Sequence, residues 1–333
     1  MGTSGSINLW RRRWVGAAAA LPWVGLRAQA GWQPTRPVEF VVPAGPGASV
    51  DSWVRMAKEI LERRQLVPTP IIVSNRPGGA NTIAINTVNA SGNDGHALTT
   101  FTHSMLHYKL MGEARSTWAD LTPVAMMFEE GTMIVVRADS PLRDTRDLVR
   151  RLRADPTSVS IGIATAVGNH VHAAIAKPLM VAGVDIARLT MVPFKSSTES
   201  VTAVLGGHID AAIASSSNLV SPKASGRARV LAAMSGTRLS APFDDVPTWR
   251  EQGVDTEYSS TQGVLGHRGM TPEQVAFWAG AFRAVSETEE WKQFLVKQHL
   301  KPRFLPGAEM LRFMQSEEVG ARTLLTELKL IKG

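Results

Sequence analysis

The chain of 333 residues is 44% hydrophobic, 20% charged and 6% aromatic, a globular composition that excludes a disordered, collagenous or coiled-coil protein and leaves room for two domains of about 150 residues. Its net charge of +7 suggests a polyanion partner, but Arg11, Arg12, Arg13 and Arg27 fall in the first thirty residues, which hold no Asp or Glu. The rest of the chain carries only +3, so no nucleic-acid partner is expected.

Residues 1–30 have the order of an export signal: three arginines, an apolar run over 15–26, and Ala28-Gln29-Ala30 as a small-x-small cleavage site. An apolar run of about 12 residues falls short of the roughly 20 that span a bilayer, so the mature chain is expected to start near Gly31 in the periplasm without a membrane anchor. Arg11-Arg12-Arg13-Trp14-Val15 also suits the twin-arginine route, and both export routes stay open. The absence of cysteine excludes disulfides, a lipidated N-terminal Cys, thiol catalysis and Cys-based zinc sites.

From there the chain repeats one grammar: a β-branched run, a loop rich in small residues, then a helical period. Residues 38–42 lead through Pro43-Ala44-Gly45-Pro46-Gly47-Ala48 into a helix predicted to start with Ser49 as N-cap. Its apolar positions are Val50, Trp53, Val54, Ala57 and Leu61. Residues 71–73 lead through Asn75-Arg76-Pro77-Gly78-Gly79 into a second helix. Residues 97–102 end at His103-Ser104, residues 159–163 precede a helix from Asn169, and residues 209–213 run into Ser215-Ser216-Ser217. Alternation of this kind predicts parallel sheets with ligands bound outside the carboxyl ends of the strands. After Gly266 the pattern turns helical, with capping boxes predicted at Thr271–Gln274 and Ser286–Glu289 and a last helix over about 308–330.

No Gly-x-Ser-x-Gly elbow, phosphate loop or His-Glu-x-x-His occurs, so no catalytic residue, metal or cofactor is assigned and no enzyme is expected. His103 and His107 stand four apart and His170 and His172 two apart. Neither pair has an acidic neighbour in sequence, which favours solvated or capping histidines over metal ligands. The loops before Ser49 and Asn169 are more informative. Each places flexible backbone at a helix start, where first-turn amides favour an anion such as a carboxylate, and two such starts face to face could grip one from both sides. Asp51, an acid in the first turn, either complements the helix dipole or touches the ligand.

A series of ordered motifs then marks a resemblance. Arg36-Pro37 leads into Val41-Val42-Pro43 and the Pro46-Gly47 to Asp51 loop, followed by Asn75-Arg76-Pro77-Gly78-Gly79, Asp94-Gly95-His96 and Asp120-Leu121-Thr122-Pro123-Val124. Gly168-Asn169-His170-Val171-His172, Val192-Pro193-Phe194-Lys195, Leu205-Gly206-Gly207-His208-Ile209-Asp210 and Asp245-Val246-Pro247-Thr248 complete it. From about Arg36 onward the chain resembles the periplasmic receptors of tripartite tricarboxylate transporters, the Bug receptors. The resemblance implies an α/β, two-lobed periplasmic binding protein of the Venus-flytrap, type II-like kind with a discontinuous first lobe and a helical C-terminus. Lobe 1 would comprise residues 31–136 plus 257–333 and lobe 2 residues 137–256, with crossings near Arg137 and Tyr258.

It further implies a small organic acid as ligand, held by loop amides and hydroxyls, and a membrane permease as the partner that receives it; a sensory role on a signalling partner is the alternative. The candidate ligand-binding residues are Pro46, Gly47, Ser49, Asp51, Thr102 and His103 on one side and Thr165, Gly168, Asn169, His172 and Ser215 on the other. Departures from the family pattern are Ala44 in place of Phe, Ala48-Ser49-Val50-Asp51 in place of a triple-glycine run, and Asn169 in place of Ser. Ala214 stands where many relatives carry Asp, which tilts the ligand toward a plain carboxylate over an amino acid.

Overall fold

The computed structural model describes residues 1, 31–164 and 166–331. The export signal expected over residues 1–30 lies outside these apart from Met1. The chain then runs β1 (Val38–Val42), α1 (Ser49–Arg63), β2 (Ile71–Asn75), α2 (Thr82–Ala90), β3 (Ala97–Thr102), α3 (Ser104–Leu110) and β4 (Thr122–Glu130). It continues through β5 (Thr132–Arg137), α4 (Thr145–Ala154), β6 (Ser160–Ala164), α5 (His170–Val181), β7 (Thr190–Phe194), α6 (Ser197–Leu205), β8 (Ala211–Ser215), α7 (Ser216–Ala224) and β9 (Ala228–Ala233). The last elements are β10 (Ser260–Gly266), α8 (Pro272–Glu287), α9 (Glu289–Lys297), β11 (Leu300–Pro306) and α10 (Gly307–Glu327).

Two sheets result, ordered β11-β4-β10-β3-β1-β2 and β7-β6-β8-β5-β9. The expectation of parallel sheets is corrected: both are mixed. The βαβ units give the parallel pairs β1/β2, β1/β3, β6/β7 and β6/β8. Strands β10 and β11, which return to the first sheet, and β5, which enters the second, pair antiparallel. The first sheet thus draws on two separate stretches of chain. Because β5 pairs with β8 and β9, the chain leaves the first sheet at Gly131, ahead of the crossing expected near Arg137.

Each sheet is covered on both faces. On the first, Trp53 of α1, Trp278 and Phe282 of α8 and Trp291 of α9 pack over Phe40 and Phe128. Centroid distances are 6.0 Å for Phe40 to Trp53, 5.8 Å for Trp53 to Phe128 and 6.4 Å for Trp53 to Trp291. Edge-to-face pairs of this kind contribute about 0.5–1.5 kcal/mol each beyond their buried area, and they hold α1 in one orientation over β1. On the other face lie α2, α3 and the first half of α10, through Ile85, Leu106, Met310 and Met314. In the second sheet, α4 and α5 cover one face and α6 and α7 the other. The last turns of α10 leave the first core and join the second through Ala321, Leu324 and Leu325.

Two helix starts differ from expectation. Ser49 is not the N-cap of α1; Ala48 is, with φ −65° and ψ 157°, and no side chain caps it. The box expected over Ser286–Glu289 does not form, because the Ser286 hydroxyl donates to the Arg283 carbonyl and Thr288 caps α9 instead. The Thr271–Gln274 box is present. No helix among the described residues is long and apolar enough to cross a membrane.

Candidate functional site

The loop between β1 and α1 is built around Asp51. This side chain is 2% exposed; its Oδ2 accepts from the Gly47 amide at 2.9 Å and from Arg55 Nε at 2.8 Å, and its Oδ1 accepts from Asn75 Nδ2 at 2.9 Å. Burial alone would raise its pKa, but the hydrogen bonds from Arg55, Gly47 and Asn75 outweigh it and hold the carboxyl at about 2. Asp51 therefore faces the loop, with both oxygens engaged inside the protein. It fastens Gly47, whose φ of +79° would strain any other residue, and the same Asn75 amide also donates to the Ala44 carbonyl. Pro46, Gly47 and Ser49 stay exposed ahead of a helix start that no side chain caps. Orphan first-turn amides at an exposed start favour an anion by about 0.3–1 kcal/mol from the dipole alone.

The second loop is arranged differently. Asn169 Oδ1 accepts from the amides of Val171 and His172 at 3.0 and 3.1 Å, so α5 is capped from within. The Val171 and His172 amides are thereby taken up inside the protein, which leaves the start of α5 fewer free donors than that of α1. Asn169 itself is 1% exposed, and its Nδ2 donates to the Ala164 carbonyl. Thr165 lies outside the described residues. Gly168, with φ +89°, turns its backbone to the histidines: its amide donates to His172 Nδ1 and its carbonyl meets His107 Nδ1, both at 3.0 Å. Ser104 Oγ lies 2.6 Å from His170 Nδ1. The segments at Thr102 to Ser104 and Gly168 to His172 thus come together, and Asn81 Nδ2 donates to Thr102 Oγ1 at 3.3 Å beside them.

Of the expectation of solvated or capping histidines, solvation is corrected, since His103, His107 and His172 are at most 2% exposed, while His172 Nδ1 does take the Gly168 amide just ahead of α5. Burial, with the charge of neighbouring histidines, pushes His170 and His172 down to about 4; burial pushes His107 to about 4 against its bond to Gly168, and His103 well below its usual value. All four are neutral at pH 7. Among the described residues no group of three or more His, Cys, Asp or Glu side chains is placed to hold a metal ion.

The start of α1 has a different counterpart. Trp53 Nε1 donates to Gln262 Oε1 at 2.7 Å; burial raises the pKa of the neighbouring Glu130 carboxyl, while the nearby Ser215 and Gln262 side chains act to lower it. This polar chain runs from α1, across the strand ends where the sheets meet, to the start of α7. Ser215 is the N-cap residue of α7 and its side chain makes no capping bond, but the buried Ser216 amide donates to the Gly131 carbonyl at 3.1 Å, so this helix start is only partly open. Glu130, Gln262 and Asn81 escaped sequence reasoning because polar residues at strand ends follow no period and belong to no motif.

Two mixed α/β sheets, one assembled from both ends of the chain, with open helix starts at the carboxyl ends of their strands, define the two-lobed fold of a periplasmic binding protein. Residues 54–330 match the family model described as "tripartite tricarboxylate transporter family receptor", and the chain belongs to that family. It is 26% identical over 271 residues to protein BugT of Bordetella pertussis, covering 78% of this chain and 79% of that one. Its fold is similar to that of a TctC solute-binding protein from Polaromonas, with TM-score 0.76 and 24% identity over 89% of this chain and 99% of that one. It is similar also to MatC from Rhodopseudomonas palustris with bound malate, with TM-score 0.70 and 21% identity over 88% and 99%.

Proposed function

We propose that the protein is an extracytoplasmic solute receptor that binds a small organic acid between its two lobes and delivers it to a permease of the tripartite tricarboxylate transporter type. The lobes follow the sheets: residues 31–131 with 258–331, and residues 132–257. The observation that carries this reading is the exposed, uncapped start of α1, whose loop is held in shape by Asp51 from below. An anion placed there meets backbone donors fixed in advance, and the uncapped start of α7, beyond the Ser216 amide that Gly131 takes up, adds to them. Charge-assisted hydrogen bonds contribute about 1.5–3 kcal/mol each, so three or four reach the roughly 8 kcal/mol of micromolar affinity after ordering costs. Malate bound to a protein of this fold supports a carboxylate as the ligand class.

No enzymatic step is required. Two hydroxyl–imidazole pairs are described, Ser104 with His170 and Thr261 with His103, and burial holds both imidazoles far below their usual pKa, His170 at about 4, which makes them poor bases at neutral pH. Calorimetric titration with malate, succinate and adipate tests the function. At least one acid should bind, its dimethyl ester should bind at least tenfold more weakly, and Gly47→Val should abolish binding while circular dichroism stays native. Equal binding of acid and ester, or full affinity in Gly47→Val, overturns it.

A further inference from the structure

A cavity of about 260 Å³ lies between α3, α5 and α10, away from the open starts of α1 and α7, and is lined by His103, His107, Lys177, Tyr258, Glu317 and Leu324. It adjoins a charged cavity of about 360 Å³ that shares Lys177, Tyr258 and Glu317. Most charges there are matched. Arg303 and Lys301 pair with Glu129, and Arg250 pairs with Asp255 and Glu257.

Lys177 and Glu317 are the exceptions. Lys177, on α5, makes no ion pair or hydrogen bond among the described residues, although its charge is felt at Glu317. Glu317, on α10 and 33% exposed, has His103 Nε2 at 3.6 Å, but that imidazole is neutral. The two opposite charges face one space without meeting. Two buried atoms in the same wall also lack partners: the Tyr258 hydroxyl and His107 Nε2. The contact of His107 Nδ1 with the Gly168 carbonyl places the ring proton on Nδ1, so Nε2 is an acceptor. Tyr258 is 7% exposed and His107 1%, so bulk water does not satisfy either atom.

The wall therefore offers a donor pair, Lys177 and Tyr258, and an acceptor pair, Glu317 and His107 Nε2, beside apolar Met180 and Leu324. A simple carboxylate would satisfy the donors but set its charge against Glu317 and leave His107 Nε2 orphaned. A simple amine would do the reverse. We propose that this cavity is a second ligand site, independent of the organic-acid cleft, that takes a zwitterionic α-amino acid with a small apolar side chain: carboxylate to Lys177 and Tyr258, ammonium to Glu317 and His107. A volume of 260 Å³ admits several waters or one such molecule.

The test is calorimetric titration of the purified protein, free and saturated with malate, with glycine, L-alanine, L-valine and L-leucine, and with the two half-ligands of valine, 3-methylbutanoate and 2-methylpropylamine. At least one amino acid should bind in both preparations, with each half-ligand at least tenfold weaker than valine. Lys177→Met and Glu317→Gln should each weaken it at least tenfold with melting and malate affinity unchanged. The proposal is overturned if no amino acid binds, if malate displaces the amino acid one for one, if a half-ligand matches valine, or if both variants bind normally. Amino-acid binding with no binding of malate, succinate or adipate would sink the organic-acid reading alone.

Discussion

Replacing Asp51 by Asn removes one charge at nearly constant shape and separates the two roles open to this residue. Asp51 is lowered from 3.8 to about 2, which at about 1.4 kcal/mol per unit corresponds to roughly 2–3 kcal/mol of native-state stabilisation at neutral pH. Asparagine would also present an amide to at least one of the three donors now pointing at the carboxylate, the Gly47 amide, Arg55 Nε and Asn75 Nδ2. A mismatched buried donor costs a further 1–3 kcal/mol or so. Urea unfolding should therefore show a loss of about 3–5 kcal/mol at pH 7. Because the folded pKa lies below the unfolded one, the stabilisation is complete above pH 3.8 and fades as pH falls through about 2, so the gap between parent and variant should narrow in that window. Organic-acid affinity should fall too, since Gly47 is released. A variant as stable as the parent, or a gap that stays constant down to pH 2, would refute the assignment of Asp51 as the fastener of the loop.

Three further outcomes are expected. His107, His170 and His172, at about 4 when folded against 6.5 for an unperturbed histidine, let the unfolded chain take up protons first; stability should fall between pH 6.5 and about 4 and level off below, and urea midpoints flat across that range would count against a neutral buried cluster. Gly168→Ala places a methyl group against Met111 Sδ on a backbone with φ +89°, so chemical unfolding should show a loss of about 2 kcal/mol or more, part of it recovered with Met111→Ala; an unchanged midpoint would rule out the close approach. Ser215→Ala removes a hydroxyl whose polar influence lowers the pKa of Glu130, which should raise the pH at which organic-acid binding changes; an identical pH profile would detach Ser215 and Glu130 from the site.

Much of the fold was written in short-range pattern. An apolar five-residue strand, a small-residue loop and a 3-4 helical period place β1 to the residue and the start of α1 to within one, because each is decided by its own burial and turn chemistry. Strands β4, β5, β9, β10 and β11 were not, since their pairing is settled by partners far along the chain; β10 meets β3 and β4 across long separations and is buried throughout despite Ser260, Thr261 and Gln262. At the site, Gly47 and Gly168 were legible as glycines before helices. The caps were not, because whether Ser49, Asn169 or Ser215 spends its side chain on its own helix depends on what else lies in reach. Asn169 does, Ser215 is drawn to Glu130, and Ser49 sits one position too late.

Helix α10 sets a mechanical condition on everything above. Met310 and Met314 anchor it in one hydrophobic core, and Ala321, Leu324, Leu325 and Leu328 anchor its far end in the other. A rod fixed at both ends does not stretch, so any swing of one sheet away from the other must peel the last turns from their seat. Peeling withdraws several leucine-sized side chains at about 1.5–3 kcal/mol each, and that sum resists opening. The C-terminal end is then a handle as well as a latch: a tag, a truncation or a docking protein acting on those turns would shift the open–closed balance from outside, without touching the ligand.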